Sequence, residues 1–267
     1  MNDYALILGI SSGMGEATAR ELMSKGINVY GIDIRKSNDL LEDLNKIGSQ
    51  NNTKILFKKM SATNIDKRKE VINELLSSQH QIRIKILFHS LAFGALKPFL
   101  NINGEHITQK NIEMTLDVMS NSLVYWVQDL FENNLLTKGS QIFAMTSSGG
   151  HRQWPSYGAV SMAKASLESA CRQLAFELAQ FNIASNSIQA GVTDTPALRK
   201  IPGNEKMIKN ATKINPSGRL TTPEDIAKIA RDGIGIMSPY KDSLGENGDI
   251  LVANWIWLQA QNDWTQG

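Results

Sequence analysis

The sequence predicts an α/β protein, a single Rossmann-like doubly wound domain with a seven-stranded parallel sheet flanked by helices. Two observations carry this. Short apolar runs alternate with longer amphipathic stretches through most of the chain, which implies parallel strands joined by right-handed helical crossovers. No low-complexity linker or internal repeat divides the 267 residues, so one domain spanning 1–267 is expected.

The elements follow in order. The first apolar run, 4–8, ends at Gly9, and a helix over 15–25 opens with Glu16-Ala-Thr-Ala. The second strand, 28–33, closes on Asp33, followed by a helix at 40–47. A third strand, 55–57, runs toward Ser61 and Ala62, with a helix at 66–78 behind it. The fourth, 84–88, ends in Phe88-His-Ser-Leu-Ala-Phe93 and precedes a long helix at 111–133. The fifth, 141–145, leads through Ser147 to a helix at 161–179. The sixth, 184–189, runs into Ala190-Gly-Val-Thr-Asp-Thr195. A Pro- and Gly-containing stretch, about 195–219, is expected to be a mobile substrate-binding segment beyond the carboxyl ends of the strands. Thr222 caps a last helix at 223–233, with Pro223 in its first turn, and the final strand is 249–252.

Composition excludes several classes of function. A formal charge of +2, from 28 basic and 26 acidic residues, gives no reason to expect nucleic acid or an acidic membrane as partner. Cys171 is the only cysteine, so neither an intramolecular disulfide nor a cysteine metal cluster is available, and no metal is expected. Its apolar helical setting reads as a buried structural thiol. The N-terminus does not resemble a signal peptide, and no run approaches the ~20 apolar residues needed to cross a bilayer. A cytoplasmic protein is expected.

Two groups of residues carry chemistry. In Gly9-Ile-Ser11-Ser12-Gly13-Met14-Gly15, between strand and helix, glycine permits a tight turn and close backbone approach to a pyrophosphate. Asp33 lies 18 residues after Gly15, near the ~20 expected for a carboxylate on the adenosine ribose hydroxyls. NAD(H) is therefore favoured, while Arg35 stands ready to clamp the extra phosphate of NADP(H). The second group is Tyr157 and Lys164, seven residues apart. Seven residues at ~100° each return to within about 20° of the same helix face, so the two could face one ligand.

With these pieces in order, the chain resembles a short-chain dehydrogenase/reductase from about residue 4 to residue 252. The usual family spacing of tyrosine to lysine is four residues, which here would fall on Val160. Seven is similar to the enoyl-acyl-carrier-protein reductase branch, as are Met162-Ala-Lys-Ala-Ser-Leu-Glu168 and the His-Ser-Leu-Ala segment. Ser147 lies 17 residues before Lys164, so the lysine keeps its family position and the tyrosine has moved three residues earlier.

The resemblance implies Tyr157 as proton donor, and Lys164 as holder of the nicotinamide ribose that also lowers the tyrosine's pKa. Ser147 would add a second hydrogen bond or cap the next turn. Ser61, Ala62, Ser90, Leu91, Ala92, Thr193 and Thr195 would line the cofactor, Thr193 through its backbone and Thr195 through its hydroxyl. His89 is read as structural. His151 and Arg152 stand where they could meet a substrate carbonyl or carboxylate. Trp154, Trp255, Trp257 and Trp264 are candidates for an acyl tunnel or a subunit interface. The implied reaction reduces an enoyl thioester, on acyl carrier protein or another carrier, within a homodimer or homotetramer. A ketone or alcohol oxidoreductase of the same family and a catalytically decayed cofactor-binding scaffold are the alternatives. The chain departs from the family pattern at Leu8, at Ser61, at Met119 and at Ala253-Asn-Trp-Ile.

Overall fold

Asn2–Leu8 forms β1, whose last five residues are all buried. A continuous buried run, rather than strict alternation, marks a strand covered on both faces. In the computed structural model, which describes residues 2–78, 81–101, 104–215, 218–232 and 250–253, this strand lies in the interior of the sheet. The elements after it are α1 (Gly13–Ser24), β2 (Asn28–Asp33), α2 (Asn38–Asn51), β3 (Ile55–Lys59), α3 (Ile65–Leu76) and β4 (Ile82–His89). Next come α4 (Gln109–Leu116), α5 (Ser122–Glu132), β5 (Gln141–Thr146), α6 (Gly158–Leu178) and β6 (Ala184–Ala190). The last are α7 (Asn204–Ile214), α8 (Pro223–Asp232) and β7 (Ile250–Ala253).

The strands pair in parallel in the order β3-β2-β1-β4-β5-β6-β7. The expected parallel sheet with flanking helices is present. Of the seven strands expected, β1 to β6 are described with their side chains, and Ile250–Ala253 only through its backbone pairing with β6. The order reverses between β1 and β4, which opens a crevice at the carboxyl ends of the strands.

Alternation sends successive side chains of β1 to opposite faces. Leu6 and Leu8 join a core with Val71, Trp126, Ile142, Leu167 and Cys171, beneath α3, α5 and α6. Ala5 and Ile7 join the other core with Leu22, Leu44, Phe143, Ile188 and Ile226, beneath α1, α2 and α8. The start of α8 is fixed by a reciprocal cap. The Thr222 hydroxyl accepts from Asp225 N at 3.3 Å, and the Asp225 carboxylate accepts from Thr222 N at 3.0 Å. Arg231 then ties α8 to α1 by donating to Glu21 at 2.7 Å.

Two expectations are refined. The single helix expected at 111–133 is interrupted by a π-helical turn, Asp117–Asn121, between α4 and α5. The wider turn buries Met119 and brings the Ser120 hydroxyl within 2.9 Å of Ser166 on α6. The segment 195–219 contains a 3-10 turn, Leu198–Lys200, and the helix α7, which begins after Gly203. Among the described residues, no helix is long and apolar enough to cross a membrane, and no cluster of three or more His, Cys, Asp or Glu side chains could hold a metal ion.

Candidate active site

The glycine loop is built by steric exclusion. Gly9 sits at a φ of 89°, and a Cβ on it would fall 2.6 Å from the carbonyl oxygen of Ser90. A Cβ on Gly15 would fall 2.1 Å from the carbonyl of Gly9, so α1 can start against the loop only without a side chain there. No side chain caps α1 at Ser12, which leaves its first N–H groups to a ligand. Ser90 N donates to Leu8 O at 2.9 Å and locks the end of β4 beside the loop.

Asp33, almost wholly buried at the end of β2, turns its carboxylate into the same loop. One oxygen accepts from Ser11 N at 3.1 Å and the other from Arg35 N at 2.9 Å. Ionised carboxylates accept up to about four hydrogen bonds, so capacity remains for ribose hydroxyls. Arg35 extends over Ser12, donating to its hydroxyl at 3.4 Å. A glycine cradle, an uncapped helix start and a buried strand-end carboxylate together fit an adenine dinucleotide.

The chemical end is assembled by β5 and α6. Ser147 follows β5, and its hydroxyl accepts from Gly149 N at 3.2 Å, capping the 3-10 turn Ser148–Gly150. The same hydroxyl hydrogen-bonds Tyr157, so this serine caps the turn and also contacts the phenol. The ring of Tyr157 closes onto the turn, and a Cβ on Gly149 would reach its Cε1 at 2.4 Å. Ser156 turns the chain into α6 with a left-handed φ of 61°, uncommon for a residue other than glycine. Burial raises the Tyr157 pKa and the Ser147 contact counters that in part. The sequence assigns that lowering to Lys164, whereas in the structure the opposing group is Ser147.

Lys164, two turns into α6, is buried and donates from Nζ to the carbonyl of Met145 at 2.6 Å. Burial depresses its pKa to about 8, against the opposing charge of Glu168. His89 is fully buried and its Nε2 meets the Ser122 hydroxyl at 2.8 Å. That hydroxyl gives its own proton to Val118 O at 2.8 Å, so His89 donates to it. Burial, and then the charge of Lys164, drive the His89 pKa down to about 3. It is a neutral structural histidine, as the sequence suggests.

These groups open on one cavity of about 1050 Å³. Ser147, Tyr157, Lys164, Gly9, Ser12, Gly13, Met14, Asp33, Ser61, Ala62, Ser90, Leu91, Ala92, Thr193 and Thr195 all line it. Ser11 and Gly15 do not. The first instead serves Asp33 and the second underlies the loop. Thr195 hydrogen-bonds the 3-10 turn through its hydroxyl, accepting from Leu198 N at 3.2 Å, and its methyl lies beside Gly13. The Ala62 carbonyl accepts from the indole of Trp126 at 2.9 Å.

Apolar residues wall the chemical end: Met119, Val160 and Ala163 pack with Tyr157, backed by Leu96, Trp154 and Ile201. The Trp154 indole donates to Pro202 O at 2.9 Å, tying the loop before Tyr157 to the segment before α7. Trp255, Trp257 and Trp264 lie outside the described residues. Arg152 lines the cavity, but His151 turns away to Glu168. Sequence reasoning missed Gly149, the Glu168–His151 pair and the helix α7, whose Met207 and Ala211 line the cavity. Only Glu168 left a trace, as a carboxylate one helical turn beyond Lys164 on the same helix.

A Rossmann-type sheet with serine, tyrosine and lysine gathered at the carboxyl ends of its strands defines an oxidoreductase of the short-chain dehydrogenase/reductase class. A family profile described as enoyl-(acyl carrier protein) reductase matches residues 9–231, and the chain belongs to that family. It is 28% identical over 227 residues to the enoyl-[acyl-carrier-protein] reductase [NADH] of Enterococcus faecalis, an alignment covering 84% of this chain and 87% of that protein. Its fold matches the crystal structure of the enoyl-[acyl-carrier-protein] reductase (NADH) of Aquifex aeolicus with a TM-score of 0.75 at 21% identity, over 94% of both chains. It also matches 3-oxoacyl-[acyl-carrier protein] reductase of Brucella melitensis in complex with NAD, with a TM-score of 0.77 at 19% identity, over 95% of this chain and 96% of that one.

Proposed function

We propose that the chain reduces the carbon–carbon double bond of an enoyl thioester, with NADH favoured over NADPH. The observation that carries this reading is the identity of the phenol beside Lys164. Four residues before the lysine stands Val160, part of an apolar wall, and the hydroxyl in the cavity comes from Tyr157, seven residues before it.

When bound, a nicotinamide cofactor would supply the hydride to C3 of the enoyl thioester, and a proton at C2 would complete the reduction. Negative charge then develops on the thioester oxygen, where a positioned donor acts most strongly because the charge appears only in the transition state. Tyr157 fills that role: with its pKa raised by burial, it keeps its proton at neutral pH and offers it. Ser147 orients the phenol and moderates its acidity. Lys164 holds the ribose hydroxyls. Met119, Val160 and Ile201 exclude water from the acyl chain. The acyl group arrives on acyl carrier protein or a comparable thioester carrier, and the working form is a homodimer or homotetramer.

Purified protein mixed with a crotonyl thioester and NADH, then NADPH, is expected to consume the reduced cofactor, followed by loss of its absorbance. Cofactor binding without turnover of any enoyl thioester would overturn the reading. So would faster turnover of a 3-ketoacyl thioester, which would assign the chain to carbonyl reduction.

A further inference from the structure

Glu168 is a carboxylate buried to 1% exposure, one helical turn beyond Lys164 on α6. A buried charge is costly unless it is paired and hydrogen-bonded. Both oxygens are satisfied from outside the helix. Thr146, the last residue of β5, donates to Oε1 at 2.5 Å, and His151 Nε2 meets Oε2 at 2.7 Å. The carbonyl of Met145, beside Thr146, receives the Lys164 ammonium at 2.6 Å. One end of β5 therefore fixes the lysine and the carboxylate together. The His151 side chain is 56% exposed, so the pair runs from solvent to the buried lysine.

We propose that Glu168 is a positioning residue that keeps Lys164 charged at the cofactor, and that His151 holds the carboxylate in place from the solvent side. The inference rests on the reading of Lys164 as the group that binds the nicotinamide ribose.

The surrounding groups leave Glu168 as the anion that matters. Burial lowers Lys164, and the charge of Glu168 is the largest influence raising it, followed by Cys171. Burial pushes the Cys171 thiol up to about 12, so it is neutral, and Arg172 bears on that thiol from the same helix. Facing Lys164 from β4, His89 is neutral, and Tyr157 at the head of α6 keeps its proton. On β6, Ser185 and Ser187 are buried hydroxyls without charge. With its pKa depressed to about 8, Lys164 is charged below that pH and neutral above it. Removing the negative charge of Glu168 lowers the value further, so the charged form is lost at a lower pH.

NADH binding, followed by quenching of protein fluorescence from about pH 6 to about pH 10, tests this. In the parent protein, affinity should fall as pH rises through about 8. In Glu168→Gln that fall should come about one pH unit or more earlier, with acid-side affinity retained, a loss of about fivefold or more at the parent's midpoint. His151→Leu should move the fall in the same direction, and His151→Gln, which retains a hydrogen-bond donor, should restore it. A uniform loss at every pH, the mark of a merely structural role, overturns the proposal. An unmoved midpoint in Glu168→Gln does so too. Where Glu168→Gln fails to fold, the half-exposed His151→Leu decides by the same criterion. Because the readout uses no thioester, a shifted midpoint without enoyl turnover keeps this inference and removes the proposed reaction. Failure to bind NADH at any pH removes both.

Discussion

At the scale of single residues, the chemistry depends on a phenol that keeps its proton and a serine that acts through it. Tyr157→Phe is expected to lower kcat by about 10²- to 10³-fold, the cost of removing one donor to a developing oxyanion, with NADH affinity little changed. Ser147→Ala should cost about tenfold, because the phenol loses the contact that offsets burial. The double variant should be no slower than Tyr157→Phe alone, since groups acting as a unit are not additive. Fully multiplicative losses in steady-state kinetics would give Ser147 an independent contact with substrate. The tyrosine–lysine pair was legible because helix geometry translates a spacing of seven into one face. The division of labour around it was not. Ser147 and Tyr157 meet only when the turn between them folds. Glu168, four residues after Lys164, reads from sequence as an ordinary helix pair. Its meaning comes from Thr146 and His151, which approach from a strand and a loop. The same contact takes His151 away from the substrate role the sequence suggested.

At the scale of elements, the site depends on short irregular pieces between regular ones. The 3-10 turn Ser148–Gly150 is the floor on which the Tyr157 ring rests, and the space for it exists because position 149 has no side chain. Gly149→Ala would place a Cβ 2.4 Å from the ring, tighter than packed atoms tolerate, so ring or turn must move. A displacement of about 1 Å at a catalytic group costs on the order of 10²-fold. The expected outcome is a fall of that order in kcat, with NADH affinity and far-ultraviolet circular dichroism retained. Parent-level kcat would show that the ring position is not set by the turn. Regular elements were easier to read than these. The strand-to-helix step at Gly9–Gly15 is written in residue type, because two of its glycines are required by contact with backbone. The π turn at 117–121 leaves the apolar spacing of α4 and α5 nearly helical, so one helix was expected there. The helix α7 was hidden by the prolines and glycines that flank it.

At the scale of the whole molecule, the cofactor loop is the point where distant parts of the chain meet. Gly9 abuts Ser90 at the end of β4, Gly13 abuts Thr195 after β6, and α1 is held to α8 by Glu21 and Arg231. A dinucleotide seated there would bridge β1, β2, β4 and the segment after β6, so it should stabilise the fold as a unit. A ligand that binds only the native state at about 100 times its Kd adds about 2.7 kcal/mol. For a chain of this size that corresponds to a Tm rise of roughly 5–10 °C. The buried Asp33 carboxylate disfavours a 2′-phosphate, while Arg35, 61% exposed in its side chain, has solvent to share with one. NADH should therefore raise Tm more than NADPH at equal concentration. Asp33→Ala should narrow the gap by removing the repulsive charge, and Arg35→Ala should lower only the NADPH response. A larger rise with NADPH in the parent protein, lost in Arg35→Ala, would reverse the assignment and make Arg35 the residue that selects the cofactor.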